Sequence, residues 1–414
     1  MNEMRDLRKD SNKIIRYSID RVLPDEAVRR TLEGFVVPEG RLILVSVGKA
    51  AWRMADSAVR CLGHIDSGII ITKYGHSEGQ IPNVIIHEAS HPILNQDAID
   101  ATEEVIEMVS DLNEKDTVLF LLSGGASALF ESPSVSLEVL QDINRQLLSC
   151  GASIEEINTI RKRLSKVKGG RFAEICSPAK VFSIILSDIL DDRTDMIGSG
   201  PTVEDTSTSE QALNIVSKYG LHLSDEVRNL LEKETVSHLD NTETHVCGSV
   251  VQLCQAAREK CEQLGYETKI VDTHLNGEAA EAGRMIGSTV RNMMGEISKP
   301  TALIYGGETV VRITGNGKGG RNQELALAAT PFISGLNACL FSVGSDGTDG
   351  PTDAAGGYVD GSTLDKLRER KTDVEDVLKN NDSYHALQAA DSLIITGPTG
   401  TNVNDLTVAL LLPE

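Results

Sequence analysis

Short apolar runs rich in β-branched residues recur along the chain, and stretches with helical periodicity separate them. The pattern predicts strands at 42–47, 68–72, 84–87, 117–122, 181–186, 268–271, 302–305, 338–343 and 392–396. Amphipathic runs at 98–112, 137–148, 209–219 and 250–264 predict helices between them. Strands alternating with helices are the signature of a parallel sheet with crossover helices, so the fold class is α/β. No low-complexity tract or fixed-period repeat interrupts the alternation.

With 414 residues the chain has room for two domains, each able to bury its own core. The stretch 204–243 is polar and the weakest for packing, which sets a boundary near residue 240. Residues 1–240 are expected to form a Rossmann-like, doubly wound, mainly parallel domain. Residues 241–414 are expected to form a second α/β domain, whose chain end is a candidate to pack back on the first. No window approaches about 18 uninterrupted apolar residues, so no membrane partner is expected. The first sixteen residues are charged and polar, so no signal peptide is expected.

Seven scattered cysteines do not form a disulfide framework, and a cytoplasmic location follows as the default. Cys247, Cys254 and Cys261 recur every seven residues, which reads as one buried helix face rather than a metal site. A net charge of −21 repels phosphate backbones and argues against nucleic acid. An anionic substrate then needs basic residues gathered locally. Arg161, Lys162, Arg163, Lys166, Lys168 and Arg171 are such a group, unless they form a solvated helix face.

Candidate chemistry sits where strands end in glycine-rich turns. Gly48-Lys49, Ser123-Gly124-Gly125-Ala126-Ser127, Gly306-Gly307-Glu308, Gly344–Gly350 and Thr396–Asn402 are such turns. Glycines there let backbone N–H groups approach an anion outside the carboxyl ends of the strands. No Walker A pattern is present. Gly315, Gly317 and Gly320 satisfy G-x-G-x-x-G between a strand-like run at 310–314 and a helical run at 324–329, with Asp346 beyond. That context keeps an NAD(P)H-dependent reductase as the alternative, although Arg312, Lys318 and Arg321 suit a triphosphate or carboxylate at least as well. Asp188, Asp191 and Asp192 close an apolar strand; such carboxylates can hold magnesium, accept a hydroxyl proton or simply cap a turn. Asp346, Asp349 and Asp353 form a second acidic cluster. His91, before Pro92, is either a catalytic group or a turn histidine.

Taken together, these motifs resemble the glycerate 2-kinase family that carries a C-terminal MOFRL region. The resemblance runs from about Val45 to Asp405 and is most specific at 306–324, 346–356 and 396–403. Ala126 departs from the family pattern, which usually has a third glycine there. The resemblance implies a site in an interdomain cleft and ATP-dependent phosphorylation of D-glycerate at its 2-hydroxyl, with hydroxypyruvate reduction as the alternative. It places the key lysine on Lys49 and the key arginine on Arg321, with Asp188 nearby. The expected assignment follows from this. Lys49 and Arg321 hold the glycerate carboxylate and the transferred phosphoryl group. Asp188, joined by Asp191, ligates Mg2+, and Asp188 accepts the hydroxyl proton. Ser123, Gly124, Gly125, Ser127, Gly315, Gly317, Lys318, Gly320 and Asp346 surround ATP or the acceptor. A monomer or small homo-oligomer is expected.

Overall fold

The computed structural model describes residues 6–187 and 193–413. They divide into two compact units, one of residues 24–187 and 193–247, the other of 6–23 and 248–413.

The first unit contains β1 (Leu42–Val47), β2 (Ser67–Lys73), β3 (Val84–Ala89), β4 (Thr117–Leu122), β5 (Lys180–Leu186) and β6 (Thr242–Cys247). They form one sheet in the order β3-β2-β1-β4-β5-β6. Every neighbouring pair is parallel. β1 and β4 are buried along their whole length, which is why their sequences, LILVSV and TVLFLL, lack alternation. β6 is an edge strand with a half-buried, polar sequence, and apolar runs do not reveal it.

The strand order reverses between β1 and β4. From β1 the chain winds outward through β2 and β3, then returns to β4 on the other side. Val47 and Leu122, the last residues of these strands, stand opposite one another. In an open α/β sheet this switch point is where a crevice opens for a ligand.

The second unit contains β7 (Glu267–Leu275), β8 (Thr301–Gly307), β9 (Ala338–Gly344), β10 (Gly356–Asp360), β11 (Leu393–Ile394) and β12 (Asp405–Leu411). Its sheet runs β11-β10-β9-β12-β8-β7. Only β7–β8 is parallel; the other pairs are antiparallel, so this sheet is mixed rather than parallel. β12 enters the middle of the sheet, between β8 and β9, and every residue of it is buried.

Both faces of this sheet are covered. Ile286 and Val290 of the helix Ala279–Met293 and Leu325 and Ala329 of the helix Arg321–Ile333 pack on one face, against Leu303, Leu340 and Ala409. Leu253, Cys254 and Cys261 of the helix Val250–Gln263 cover the other, joined by Ile14, Ile15 and Ile19 of the helix Leu7–Arg21. Cys254 and Cys261 thus share a buried helix face, while Cys247 ends β6 instead. Among the described residues no helix is long and apolar enough to cross a membrane.

Candidate active site

At the switch point the turns after β1 and β4 are tied to each other. The Lys49 amide donates to the Gly124 carbonyl at 2.9 Å, and the Ala50 amide donates to Ser123 Oγ at 3.1 Å. Ser123 Oγ in turn donates to the Val47 carbonyl at 3.3 Å. Its hydroxyl therefore braces the two turns. Gly48 has φ 119°, and a Cβ there would lie 2.3 Å from Ser123 Oγ, so only glycine permits this approach.

Gly125 has φ 93°, and a Cβ on it would meet the His91 ring at 3.0 Å and Lys49 Cγ at 3.3 Å. Gly125 thus packs closely against both the His91 ring and the Lys49 side chain. Lys49 is partly buried, and its ammonium makes no hydrogen bond or ion pair among the described residues. Burial, followed by Lys49, Lys73 and His76, pushes the His91 pKa below its ordinary value. A neutral imidazole therefore faces a lysine without a counter-charge. Ser127 lies one turn further on, in the short helix Ala126–Leu129. A histidine beside a proline does not by itself separate a site from a turn; what the structure adds is that the His91 ring lies against Gly125.

The basic run resolves differently from either expectation. Lys162 pairs with Asp205 at 3.0 Å and Arg163 with Glu234 at 3.1 Å. Lys168 pairs with Glu131 at 3.3 Å and donates to the Phe130 carbonyl at 2.7 Å. Lys166 pairs with Glu103 at 3.0 Å, and Arg171 donates to the carbonyls of Lys162 and Ser165. Lys162, Arg163 and Lys168 are buried. Most of the run is therefore an internal ion-pair set, neither a solvated face nor a free cluster.

In the second unit Arg321 opens the helix Arg321–Ile333. Its Nε and Nη2 donate to both oxygens of Asp405, at 2.5 and 2.9 Å, and Nη1 lies 3.3 Å from Glu308. Glu308 also accepts from Asn404 at 3.1 Å. Burial pushes the Asp405 carboxyl up to about 6 despite Arg321, so the pair is still charged at neutral pH. Asp349 accepts from the amides of Asn322 and Gln323 at the start of the same helix. Asp346 is turned into its own loop, where it accepts from the Thr348 amide and hydroxyl.

The G-x-G-x-x-G segment lacks the setting of a dinucleotide fold. Beyond a single bridge at Val310 the run 310–314 is not a strand. The amides of Thr314 and Gly315 donate to Asn381 Oδ1, that of Asn316 to Asn380 Oδ1, that of Gly317 to the Asn380 carbonyl, and that of Lys318 to Asp382 Oδ1. These donors are engaged by the protein itself. The glycines serve close packing: a Cβ on Gly315 would lie 2.4 Å from Asn380 Cα, one on Gly317 2.5 Å from Asp382 Cβ, and one on Gly320 2.3 Å from Asp349 Cγ. Lys318 Nζ sits 4.4 Å over the Tyr384 ring.

Asp188 and Asp191, expected as metal ligands, lie outside the described residues, as does Asp192. Among the described residues no three metal-ligating side chains converge.

A doubly wound parallel sheet with a lysine at its switch point and a second unit with a mixed sheet make this a two-unit α/β protein. Residues 10–232 match the domain of unknown function DUF4147, and residues 301–405 match the MOFRL family. The D-glycerate 2-kinase of Thermotoga maritima is 52% identical over 98% of this chain and 99% of its own length. A crystal structure of glycerate kinase from Thermotoga maritima superposes with a TM-score of 0.94 at 52% identity, covering 98% of this chain and 99% of that one. A relative from Agrobacterium vitis, 35% identical over 90% of this chain and 88% of its own length, carries a provisional hydroxypyruvate reductase name. The chain belongs to the glycerate 2-kinase family.

Proposed function

We propose that this protein transfers the γ-phosphoryl group of ATP to the 2-hydroxyl of D-glycerate, giving 2-phosphoglycerate and ADP. The observation that carries the reading is near-full-length identity of 52% to a D-glycerate 2-kinase. Local chemistry supports it. Phosphoryl transfer asks for positioning and charge neutralisation rather than covalent catalysis. Lys49 offers a partly buried ammonium with no carboxylate partner among the described residues, at the switch point of a parallel sheet. In this proposal Lys49 neutralises the transferred phosphoryl group or the glycerate carboxylate. The turn at Gly124–Ser127 lines the same place, and His91 supplies a neutral hydrogen-bonding ring. Arg321, held in orientation by Asp405, is proposed as a second cation for the same anions.

Asp188 and Asp191 are proposed as the protein's ligands for Mg2+, with Asp188 taking the hydroxyl proton. Magnesium in such reactions is held by one or two carboxylates together with the phosphates, so a converging protein cage is not required. When bound, the ion would offset charge on the phosphates. A cytoplasmic location accords with the free thiols of all seven cysteines.

The test is product analysis by phosphorus NMR after incubation with ATP, Mg2+ and D-glycerate. ATP should be consumed only when glycerate and the metal are both present, and the product should be the 2-phosphate. NADH oxidation with hydroxypyruvate, without ATP consumption, would overturn the reading. Formation of the 3-phosphate alone would overturn only its regiochemistry.

A further inference from the structure

Arg161 is the exception in its basic run. It lies in the last turn of the helix Ile154–Arg163 and is partly buried. Its Nε donates to Asn144 Oδ1 at 2.7 Å, and its two terminal nitrogens make no hydrogen bond or ion pair among the described residues. Lys162, Arg163, Lys166 and Lys168 each have a carboxylate partner, and Arg171 has backbone carbonyls. Glu131, the acid that acts on Arg161 at longer range, is already paired with Lys168. A guanidinium in such surroundings has lost water without gaining a counter-ion.

The neighbours of Arg161 lead to the switch-point turns by two routes. Asn144 belongs to the helix Leu137–Ser149, and Gln141, one turn earlier on it, donates to the Leu94 carbonyl at 3.1 Å in the loop that carries His91. Asn158, one turn before Arg161, accepts from Ser199 Oγ at 3.0 Å. The adjoining Gly198 packs so closely that a Cβ on it would stand 3.2 Å from Ala126 Cβ. Arg161 is therefore bracketed by elements that reach the His91 loop and the Ser123–Ser127 turn. The hydrogen bond to Asn144 fixes the plane of the guanidinium and leaves its end-on pair of N–H groups available, the geometry that grips a carboxylate or phosphate with two parallel bonds.

We infer that Arg161 binds an oxyanion of the substrates, the carboxylate of the acceptor or a phosphate of the nucleotide, as a second cation beside Lys49. The inference rests on the kinase reading for the identity of those anions. Asn144 is the positioning residue that aims it.

The experiment titrates D-glycerate and, separately, ATP into the wild-type protein, R161Q and R161K by calorimetry, with melting temperatures recorded alongside. R161Q should bind one of the two ligands about 10- to 100-fold more weakly, the loss expected of a charge-assisted pair of hydrogen bonds, and bind the other as the wild type does. The affected ligand identifies the anion. R161K keeps the charge but not the fork and should recover only part of the affinity; it also decides the matter should R161Q fail to fold. Wild-type affinity for both ligands in either variant, with a lowered melting temperature, would overturn the inference and make Arg161 structural. A wild-type protein that binds these ligands but does not phosphorylate glycerate would unseat the kinase reading and leave Arg161 to be judged by the same titrations.

Discussion

Arg321 donates to both oxygens of Asp405, and that carboxylate is almost fully buried. The sequence places a permanent cation at a helix start, from which a purely kinetic role follows. The ion pair changes what its removal does. In R321A the Asp405 carboxylate loses its partner inside the protein, and breaking a buried pair in this way costs about 3–5 kcal/mol. Loss of a cation aimed at a transferring phosphoryl group costs about 10³-fold or more in kcat/KM. We therefore expect both losses together, from steady-state kinetics and thermal melts. The stability loss should also depend on pH. Asp405 already has a folded-state pKa raised to about 6, and without Arg321 it rises further. Stability from a group with a raised pKa is present below its unfolded value and is lost as pH rises through the folded one. The gap in melting temperature between R321A and wild type should thus be wider at pH 8 than at pH 5. A gap that does not change with pH would mean that Asp405 is not the residue left stranded.

At the scale of elements, the segment 315–320 separates motif from mechanism. Its glycines satisfy a dinucleotide spacing, yet its amides bind the 380–382 segment and its missing side chains make room for that segment. A methyl group on Gly317 would press on Asp382 Cβ and, at 2.6 Å, on the Asn380 carbonyl. Overpacking of this kind costs about 1–3 kcal/mol. G317A should accordingly melt several degrees lower in the absence of any ligand, with little change in KM for ATP. A large rise in that KM with an unchanged melting temperature would return the loop to nucleotide binding.

The same contrast explains which elements the sequence reveals. β1 and β4 are continuous apolar runs and are legible at once, as is the helix Ser209–Tyr219, with its capping box. β10 begins with Gly356 and Gly357, so it offers no apolar run to mark it as a strand. A Cβ on Gly356 would lie 1.9 Å from the Ser342 carbonyl oxygen, so the glycine is there for close strand approach. β11 is two residues long because the loop at 396–404 leaves the sheet and crosses to β12, a choice that only tertiary pairing records. Lys49 was legible as a cation at a strand end. The internal pairing of its basic competitors, and the lack of any ion pair for Arg161 among the described residues, depend on acids such as Glu131 and Asp205 that lie far from them in sequence.

At the scale of the whole molecule, the opening segment does not group with the residues that follow it in sequence. The helix Leu7–Arg21 belongs with residues 248–413, and its register there is set by burial. Ile14 and Val22 are fully buried and Ile15 and Ile19 nearly so, within the core that holds Leu253, Cys261 and Phe341. Polar contacts fix the same fit: Tyr266 donates to Asp10 at 3.1 Å, Arg8 to the Leu393 carbonyl at 2.9 Å, and Thr401 Oγ1 to the Val22 carbonyl at 2.9 Å. Each of these aliphatic side chains contributes about 1.5–3 kcal/mol on burial. Their sum is comparable with the whole stability of a domain, about 5–15 kcal/mol. A fragment of residues 248–413 should therefore fail to unfold cooperatively, because the core that Ile14, Ile15, Ile19 and Val22 share with the helix Val250–Gln263 is left partly uncovered. Joining residues 6–23 to that fragment through a flexible linker should restore a sigmoidal thermal transition and dispersed amide signals in NMR. If 248–413 alone melts cooperatively at the same temperature as the joined fragment, the opening helix covers a core that does not need it.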